Sequence, residues 1–394
     1  MPLMPSAGTP ILRLEPFQAW RFVAGKVSAL GAVTSPPYDV LEPELVRRLT
    51  ESDLHNMVRL ILPRDPELGS RRYDGAAGRL RTWQQDGVVV RDRTPALYVY
   101  EQRIGTARLC GLVGALGLDP SGSVVLPHED VMPWMVDDRY ELMRSTHADL
   151  EPILLAYATT AGTASNGAAA DAIDAAQAGE PWLSASTDDG AEHVVWRIDD
   201  PETLSAIAND LATHEALIAD GHHRYTAYLH RLADTSAADS GLAMLVDHNR
   251  HPLTLDAIHR TLPGVSLSDV TKAVPAGWHV HDGKRPDLAH GMALTDGWRW
   301  LTINRDEAVD VPDVSLLHDE LLPAWGVDPD LIAYHHELDD ALADAAEDRV
   351  TVVLEPPRLE QVLSTAARGV RLPRKATSFG PKPRVGLLFR TLDD

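Results

Sequence analysis

The residues best suited to chemistry gather in one short stretch, Ile218–Tyr228, which reads IADGHHRYTAY. An Asp-Gly pair ends an apolar run there, and His222, His223 and Arg224 follow at once. A helix starting at this point offers free backbone N–H groups and the positive end of its dipole, and both favour an anion. Gly221 lets a ligand approach the backbone. His223 and Arg224 add donors, and the planar fork of arginine matches phosphate oxygens. The pattern predicts a phosphate cradle of Gly221, His223 and Arg224. The competing reading is a plain capped helix, with Asp220 as N-cap and the histidines on the surface. Zinc ranks third: adjacent histidines do not easily chelate one ion, and no His pair at i, i+4 with a Glu accompanies them.

Other candidates are scattered. His128-Glu129 follows the apolar VVL run, where Glu129 could deprotonate a substrate hydroxyl or hold Mg²⁺ and His128 could contact substrate. Asp220 is a second candidate for base or metal ligand. Tyr38 and Asp39 stand on the proline-stiffened SPPYDV loop, the kind of rigid loop that positions functional side chains. Asp137, Asp138 and Arg139 precede a helical run, which suits capping, an ion pair, or substrate or metal contact. His259-Arg260 repeats the His-Arg theme and offers either a second set of phosphate donors or a buried arginine paired with one of the acids. Lys375, Lys382 and Arg384 gather positive charge in a chain short of lysine, either as an anion clamp or as a solvated loop. The pair in AYHHEL (Ala333–Leu338) reads as surface helix. No Gly-x-Gly-x-x-Gly or Gly-Lys-Ser/Thr occurs, so Rossmann and P-loop sites are not indicated.

Composition narrows the partners. The 394 residues exceed one small core, so two or three lobes are expected. A formal net charge of −22 argues against binding nucleic-acid backbones. With one cysteine, Cys110, neither an internal disulfide nor a thiolate metal cluster can form. No apolar run reaches membrane-spanning length, and the first residues lack the pattern of a signal peptide. A cytoplasmic protein with no membrane partner is expected, and self-association stays open.

The elements that must position these residues mix strands and helices. Residues 1–158 read as an N-terminal α/β lobe: a helix in ELVRRLTESD, strand-like MVRLIL, a helix over Tyr73–Gly87, paired strands in PALYVYEQRI and RLCGLVGALGL, and a helix in MVDDRYELMRSTHADL. Ala158–Pro181 is Ala/Gly/Thr-rich and reads as loop plus a small helix, the softest boundary. Residues 182–263 hold strand HVVWRI, a helix capped near Asp200, strand EALIAD, the GHHRYTAYLHRLAD helix and further strands. Residues 264–394 continue with strand GWRWLTI, helices in DVSLLHDELLPAWG, LDDALADAAED and LEQVLSTAARG, and strands RVTVVLE and GLLFRTL. The fold class is mixed α/β, multi-lobed, centred on the strand–DGHHR–helix unit.

The motif Gly221–Ala227 resembles the arginine box of ParB-like proteins and the Gly-Cys-His-Arg motif of sulfiredoxins. Its Asp-Gly-His-His-Arg form looks closest to the branch containing free-serine kinases. That resemblance implies a ParB/sulfiredoxin-like core in which His223 and Arg224 meet nucleotide phosphates. His222 stands where sulfiredoxins have their cysteine, so thiol chemistry is not implied. Across the whole chain, SPPYDV, NMVRLILP, PHE, DDRYELMRST, PILLAY, ADGHHRYTA, AIHRTL and KATSFGPKPRVGLLFR recur in the order known from the DUF1015 family. The chain is identified as resembling that family, whose name records an unknown function. It departs from the pattern at AIHR, where Pro-Thr-His-Arg is usual, and at SFGPK, where an aromatic precedes Pro-Lys.

Together these readings lead to a nucleotide-dependent phosphotransferase acting on a small hydroxyl metabolite, similar to serine kinases. ATP or ADP and Mg²⁺ are the expected cofactors, and serine metabolism is the expected setting. Glu129 or Asp220 would serve as base. Arg139 and Arg260 would neutralise acceptor or phosphoryl charge. Two alternatives use the same motif: a phosphoserine-type phosphatase with His222 or His223 as nucleophile or acid, and a non-catalytic nucleotide-binding switch.

Overall fold

The computed structural model describes residues 10–63, 72–158, 167–235, 239–283, 291–306 and 309–392. The chain is a mixed α/β protein that divides into two compact units interleaved in sequence. The first comprises Met1–Leu126, Val131–Leu253 and Pro381–Asp394, the second Pro127–Asp130 and Thr254–Gly380.

The first unit is built on a mixed sheet whose strand order is Val125–Leu126, Ala216–Asp220, Ile153–Tyr157, Ser240–Asp247, Ala107–Gly117, Leu97–Ile104, Glu192–Ile198 and Leu183–Ser186. Its central strands are apolar along their whole length and buried on both faces, as Ile153–Tyr157, Ala216–Asp220 and Ser240–Asp247 show. Ser240–Asp247 runs parallel to Ile153–Tyr157, whereas Ala216–Asp220 runs antiparallel to it with a register shift between Ile218 and Asp220. Helix His222–Asp234 buries Tyr225, Ala227 and Tyr228 in the core that also holds Ile153, Ile218 and Leu245. A second core joins Phe22, Met57, Leu60, Leu80, Trp83 and Phe389.

In the second unit a six-stranded sheet has the order Trp278–Gly283, Trp300–Arg305, Met292–Thr295, Arg349–Val353, His259–Pro263 and Ala333–His335. Every pairing in it is antiparallel.

Periodicity located most elements. Helix Arg72–Gln85 buries Leu80 and Trp83, and Gly87 beyond it has φ 65. Asp200 caps Pro201–Leu211 by accepting from the Thr203 amide at 2.8 Å. Four readings need correction. MVRLIL is not a strand: Val58–Ile61 is a helical turn in which Val58, Leu60 and Ile61 are all buried, and Asn56 Oδ1 accepts from the Val58 amide at 2.9 Å. A short continuous apolar run has no period that separates these two outcomes. AYHHEL is not helix, because Ala333–His335 completes the second sheet as an edge strand against His259–Thr261. GLLFRTL contributes only the short strand Arg390–Thr391. Asp137 and Asp138 do not cap their helix; it spans Pro133–Thr146 with Met132 as N-cap, leaving both acids inside.

The contacts also divide the chain differently from three consecutive lobes. Leu97–Ile104 pairs with Glu192–Ile198, and Ile153–Tyr157 pairs with Ala216–Asp220, so most of residues 1–158 and 182–253 share one sheet. Of the Ala158–Pro181 stretch, 159–166 lie outside the described residues and the expected small helix is Ala168–Gln177. Among the described residues no helix is long and apolar enough to cross a membrane.

Candidate functional site

The buried strand Ala216–Asp220 delivers the chain to Gly221, whose φ of 100 belongs to the left-handed region. A side chain at this position would meet Cγ2 of Ile153 at 2.7 Å, so glycine is required for conformation and for space. The helix begins at His222, and no side chain caps it.

Arg224 does not face outward as the motif suggested. It is 1% exposed, its Nη1 donates to the Pro152 carbonyl at 2.6 Å and its Nη2 donates to Asp220 Oδ2 at 2.5 Å. Its guanidinium is therefore committed to the neighbouring strand, and its role is to hold the turn. Burial alone would lower its pKa; the charges of Asp220 and Glu151 reverse that and raise it. Asp220 is correspondingly not a helix cap. Its second oxygen, Oδ1, lies 2.6 Å from Lys382 Nζ, which also donates to Asp39 Oδ2 at 2.7 Å. One ammonium thus joins the SPPYDV loop to the DGHHR turn.

The loop is fixed from below. The Tyr38 amide donates to Glu151 Oε1 at 3.0 Å, and the Tyr38 ring lies under the Arg139 guanidinium, 4.2 Å from Cζ to the ring centroid. Arg139 is buried. It donates to the Ile61 carbonyl at 2.8 Å and from Nε to Asp138 Oδ2 at 2.9 Å, with Glu151 Oε2 at 3.5 Å. Asp138 also bonds Arg72 and Tyr73. Burial pushes the Tyr38 hydroxyl far above its ordinary value, with the Asp39 charge adding to the shift, so it stays protonated at neutral pH. Burial likewise raises the Glu151 carboxyl, opposed by Arg224 and Arg139. The result is a paired network in which Asp39, Asp138, Glu151 and Asp220 face Arg72, Arg139, Arg224 and Lys382.

His222 is buried. His223 Nε2 accepts the Met132 amide at 3.0 Å, which occupies that nitrogen's lone pair. Arg384 keeps apart from Lys382: it contacts Asp189 at 3.2 Å and donates from Nε to Thr34 Oγ1 at 3.0 Å.

His128, Glu129, His259, Arg260 and Lys375 all belong to the second unit. Thr377 links the first two. Its amide and hydroxyl both donate to Glu129 Oε1, at 2.9 and 2.8 Å, and His128 Nε2 lies 2.8 Å from Thr377 Oγ1. A hydroxyl that donates to the carboxylate must accept from the imidazole, which assigns the proton to Nε2 of His128. Burial raises the Glu129 carboxyl, while Thr377, Lys375 and Arg260 pull it down. The His259 Nδ1 accepts the Leu354 amide at 3.3 Å.

Both proposed Mg²⁺ ligands, Asp220 and Glu129, fail a donor test. The Asp220 and Asp39 oxygens that would ligate a cation already hold the Lys382 ammonium. Glu129 already lies in the field of two cations, Lys375 and Arg260. Among the described residues no group of three or more His, Cys, Asp or Glu is gathered to hold a metal.

Three histidines, His193 and His259 buried and His318 partly buried, make stability depend on pH. Burial, aided by neighbouring arginines, depresses His193, His259 and His318 from 6.5 to about 4. The unfolded chain therefore takes up protons first, and the stability these groups contribute above pH 6.5 is lost as pH falls through about 4. Denaturant midpoints across this range should fall accordingly, and His318→Gln should flatten part of the slope.

Sequence reading missed Glu151, Asp149 and Thr377. A lone acid inside the otherwise apolar run LEPILLAY was the available signal for Glu151. Nothing local marked Thr377.

Fold and site thus define an α/β protein whose strand–glycine–helix turn is crossed by a buried charge network. The chain belongs to the DUF1015 family, described as proteins of unknown function, whose model matches residues 14–321. No curated protein matches it. Similar solved structures include a conserved hypothetical protein from Pyrococcus furiosus, at 18% identity and TM-score 0.37, covering 69% of this chain and 93% of that one. SbnI with a C-terminal truncation, from Staphylococcus aureus, has 10% identity and TM-score 0.42, covering 70% and 85%. A free serine kinase in complex with AMP has 17% identity and TM-score 0.37, covering 68% and 89%. Likeness at this level carries neither a reaction nor a ligand to this chain.

Proposed function

We propose that this protein is a nucleotide-dependent phosphotransferase for a small hydroxyl metabolite, with its phosphate site at the Gly221 turn on a ParB/sulfiredoxin-like core. The observation that carries the reading is the Lys382 ammonium held between Asp39 and Asp220 at the start of the His222–Asp234 helix. Lys382 and the amides of the first helical turn would receive the transferring phosphoryl group, where preorganised positive charge acts most strongly. Arg224 would act behind them by fixing Asp220. Asp39 is the better base than Asp220, since it lies on the exposed side of its loop whereas Asp220 is buried and held by both Arg224 and Lys382. In the step, the acceptor oxygen bonds to phosphorus as the bridging P–O bond breaks. The hydroxyl proton passes to Asp39, and the shortened nucleotide leaves.

Incubation with ATP or ADP, Mg²⁺ and serine or other small hydroxy acids should consume nucleotide and yield one phosphoester per turnover, followed by phosphorus NMR. Intact nucleotide across that panel would sink the reading. Phosphate release from phosphoserine without nucleotide would favour the hydrolase, although the occupied Nε2 of His223 speaks against that nitrogen as nucleophile. Binding without turnover would favour the switch.

A further inference from the structure

The second unit buries a cation, Arg260, that no carboxylate pairs directly among the described residues. Arg260 is 0% exposed, on strand His259–Pro263. Its Nη1 donates to the Ile258 carbonyl, its Nη2 to the Lys375 carbonyl at 2.7 Å, and its Nε has no acceptor. Among the described residues neither Arg260 nor Lys375 is in an ion pair. Buried guanidinium groups are ordinarily paired, because an isolated charge is costly to desolvate. Burial accordingly lowers Arg260 to about 10. The histidines His259 and His318, whose values burial and the Arg260 charge lower to about 4, are neutral at pH 7 and add no positive charge beside it. Glu129 is the carboxylate that feels both cations.

Backbone strain falls at the same place. Lys375 has φ 56, one of two non-glycine residues in the left-handed region among those described. That conformation is costly for a residue with a side chain, and it persists where surrounding structure enforces it. The hydrogen bond from Arg260 to the Lys375 carbonyl is the enforcing contact. It fixes the turn that carries the Lys375 side chain, whose charge reaches Glu129. Two residues on, Thr377 ties Glu129 to His128, leaving Glu129 Oε1 committed and the half-exposed turn open to solvent.

We propose that the Lys375 turn is a binding site for a small oxyanion, carboxylate or phosphate, that also carries a hydroxyl or ammonium. Lys375 holds the anionic group, Glu129 accepts from the neighbouring donor through its second oxygen, and Arg260 is a positioning residue that adds charge from behind. The site uses residues of the second unit alone, so it stands or falls independently of the phosphate reading at Gly221.

Calorimetric titration of the full chain with glycolate, acetate, glycerol phosphate and methyl phosphate tests this. Glycolate or glycerol phosphate should bind, each more tightly than its partner lacking the hydroxyl; which of the two binds tells carboxylate from phosphate. Lys375→Asn removes the ammonium while keeping a residue that tolerates positive φ, so affinity should fall at least fivefold with an unchanged or raised Tm. Lys375→Gly serves as the second variant on the same reasoning. Absence of binding by all four compounds, no preference for the hydroxyl, or a loss below fivefold in these variants would overturn the proposal.

Discussion

Lys382→Met should reduce nucleotide turnover by about 10²–10³-fold, the usual effect of removing one preorganised charge from a transition-state site. Methionine keeps the length and packing of the stem, so the loss is of charge. In the native protein burial alone would push Lys382 down, but Asp220 and Asp39 more than reverse this and raise it above the ordinary lysine value. The ammonium is therefore present at every pH at which the protein would be assayed. Its contribution to stability is complete below the unfolded lysine value and is lost only as pH rises through the higher folded one. The variant leaves Asp39 and Asp220 without their shared cation, while Asp220 retains Arg224. A modest fall in Tm is expected beside the large fall in kcat. Lys382→Arg should recover folding more than rate, since a planar fork does not reproduce one point charge between two carboxylates. Turnover undiminished in Lys382→Met would place phosphoryl transfer elsewhere.

Asp149→Ala should produce the largest loss of stability, about 3–5 kcal/mol, because it strands a buried charge. Asp149 is fully buried, and Arg231 Nη1 lies 2.5 Å from its Oδ1. Its Oδ2 accepts the Leu242 amide at 3.3 Å and lies 3.7 Å from Arg390 Nη1. Without Asp149, Arg231 keeps the Ser240 carbonyl at 2.6 Å and the Tyr228 ring, neither of which carries a negative charge. The pair ties helix His222–Asp234 to strand Ser240–Asp247, the same helix whose first turn forms the candidate site. Urea denaturation with hydrogen exchange along Ser240–Asp247 would measure the effect. A loss under about 1 kcal/mol, as for a surface pair, would show that the carboxylate is not needed to compensate Arg231.

Local order was legible in the sequence. The run ALIAD, the glycine and the amphipathic HHRYTAYLHRLAD fix a strand, a turn and a helix through interactions within a few residues. Those elements form where expected, with Gly221 at the positive φ that the turn requires. The PALYVYEQRI and RLCGLVGALGL strands likewise announced their pairing through adjacency and a short turn.

Only the tertiary structure decided what the side chains of the motif do. Arg224 reads as an outward phosphate donor until the Pro152 carbonyl, supplied by a neighbouring strand, turns its guanidinium inward. Lys382 stood out in the sequence only as one of three gathered cations; strand pairing and the return of the C-terminal segment bring it onto Asp39 and Asp220. His128, Glu129 and Arg260, grouped on chemical type with the DGHHR residues, fold into the other unit with Lys375 and Thr377. A hydrogen-bonding group's type is written in the sequence, but its direction is set by whichever partner satisfies it. For buried charges that partner lies far along the chain, because desolvation makes an unmet charge too costly to leave.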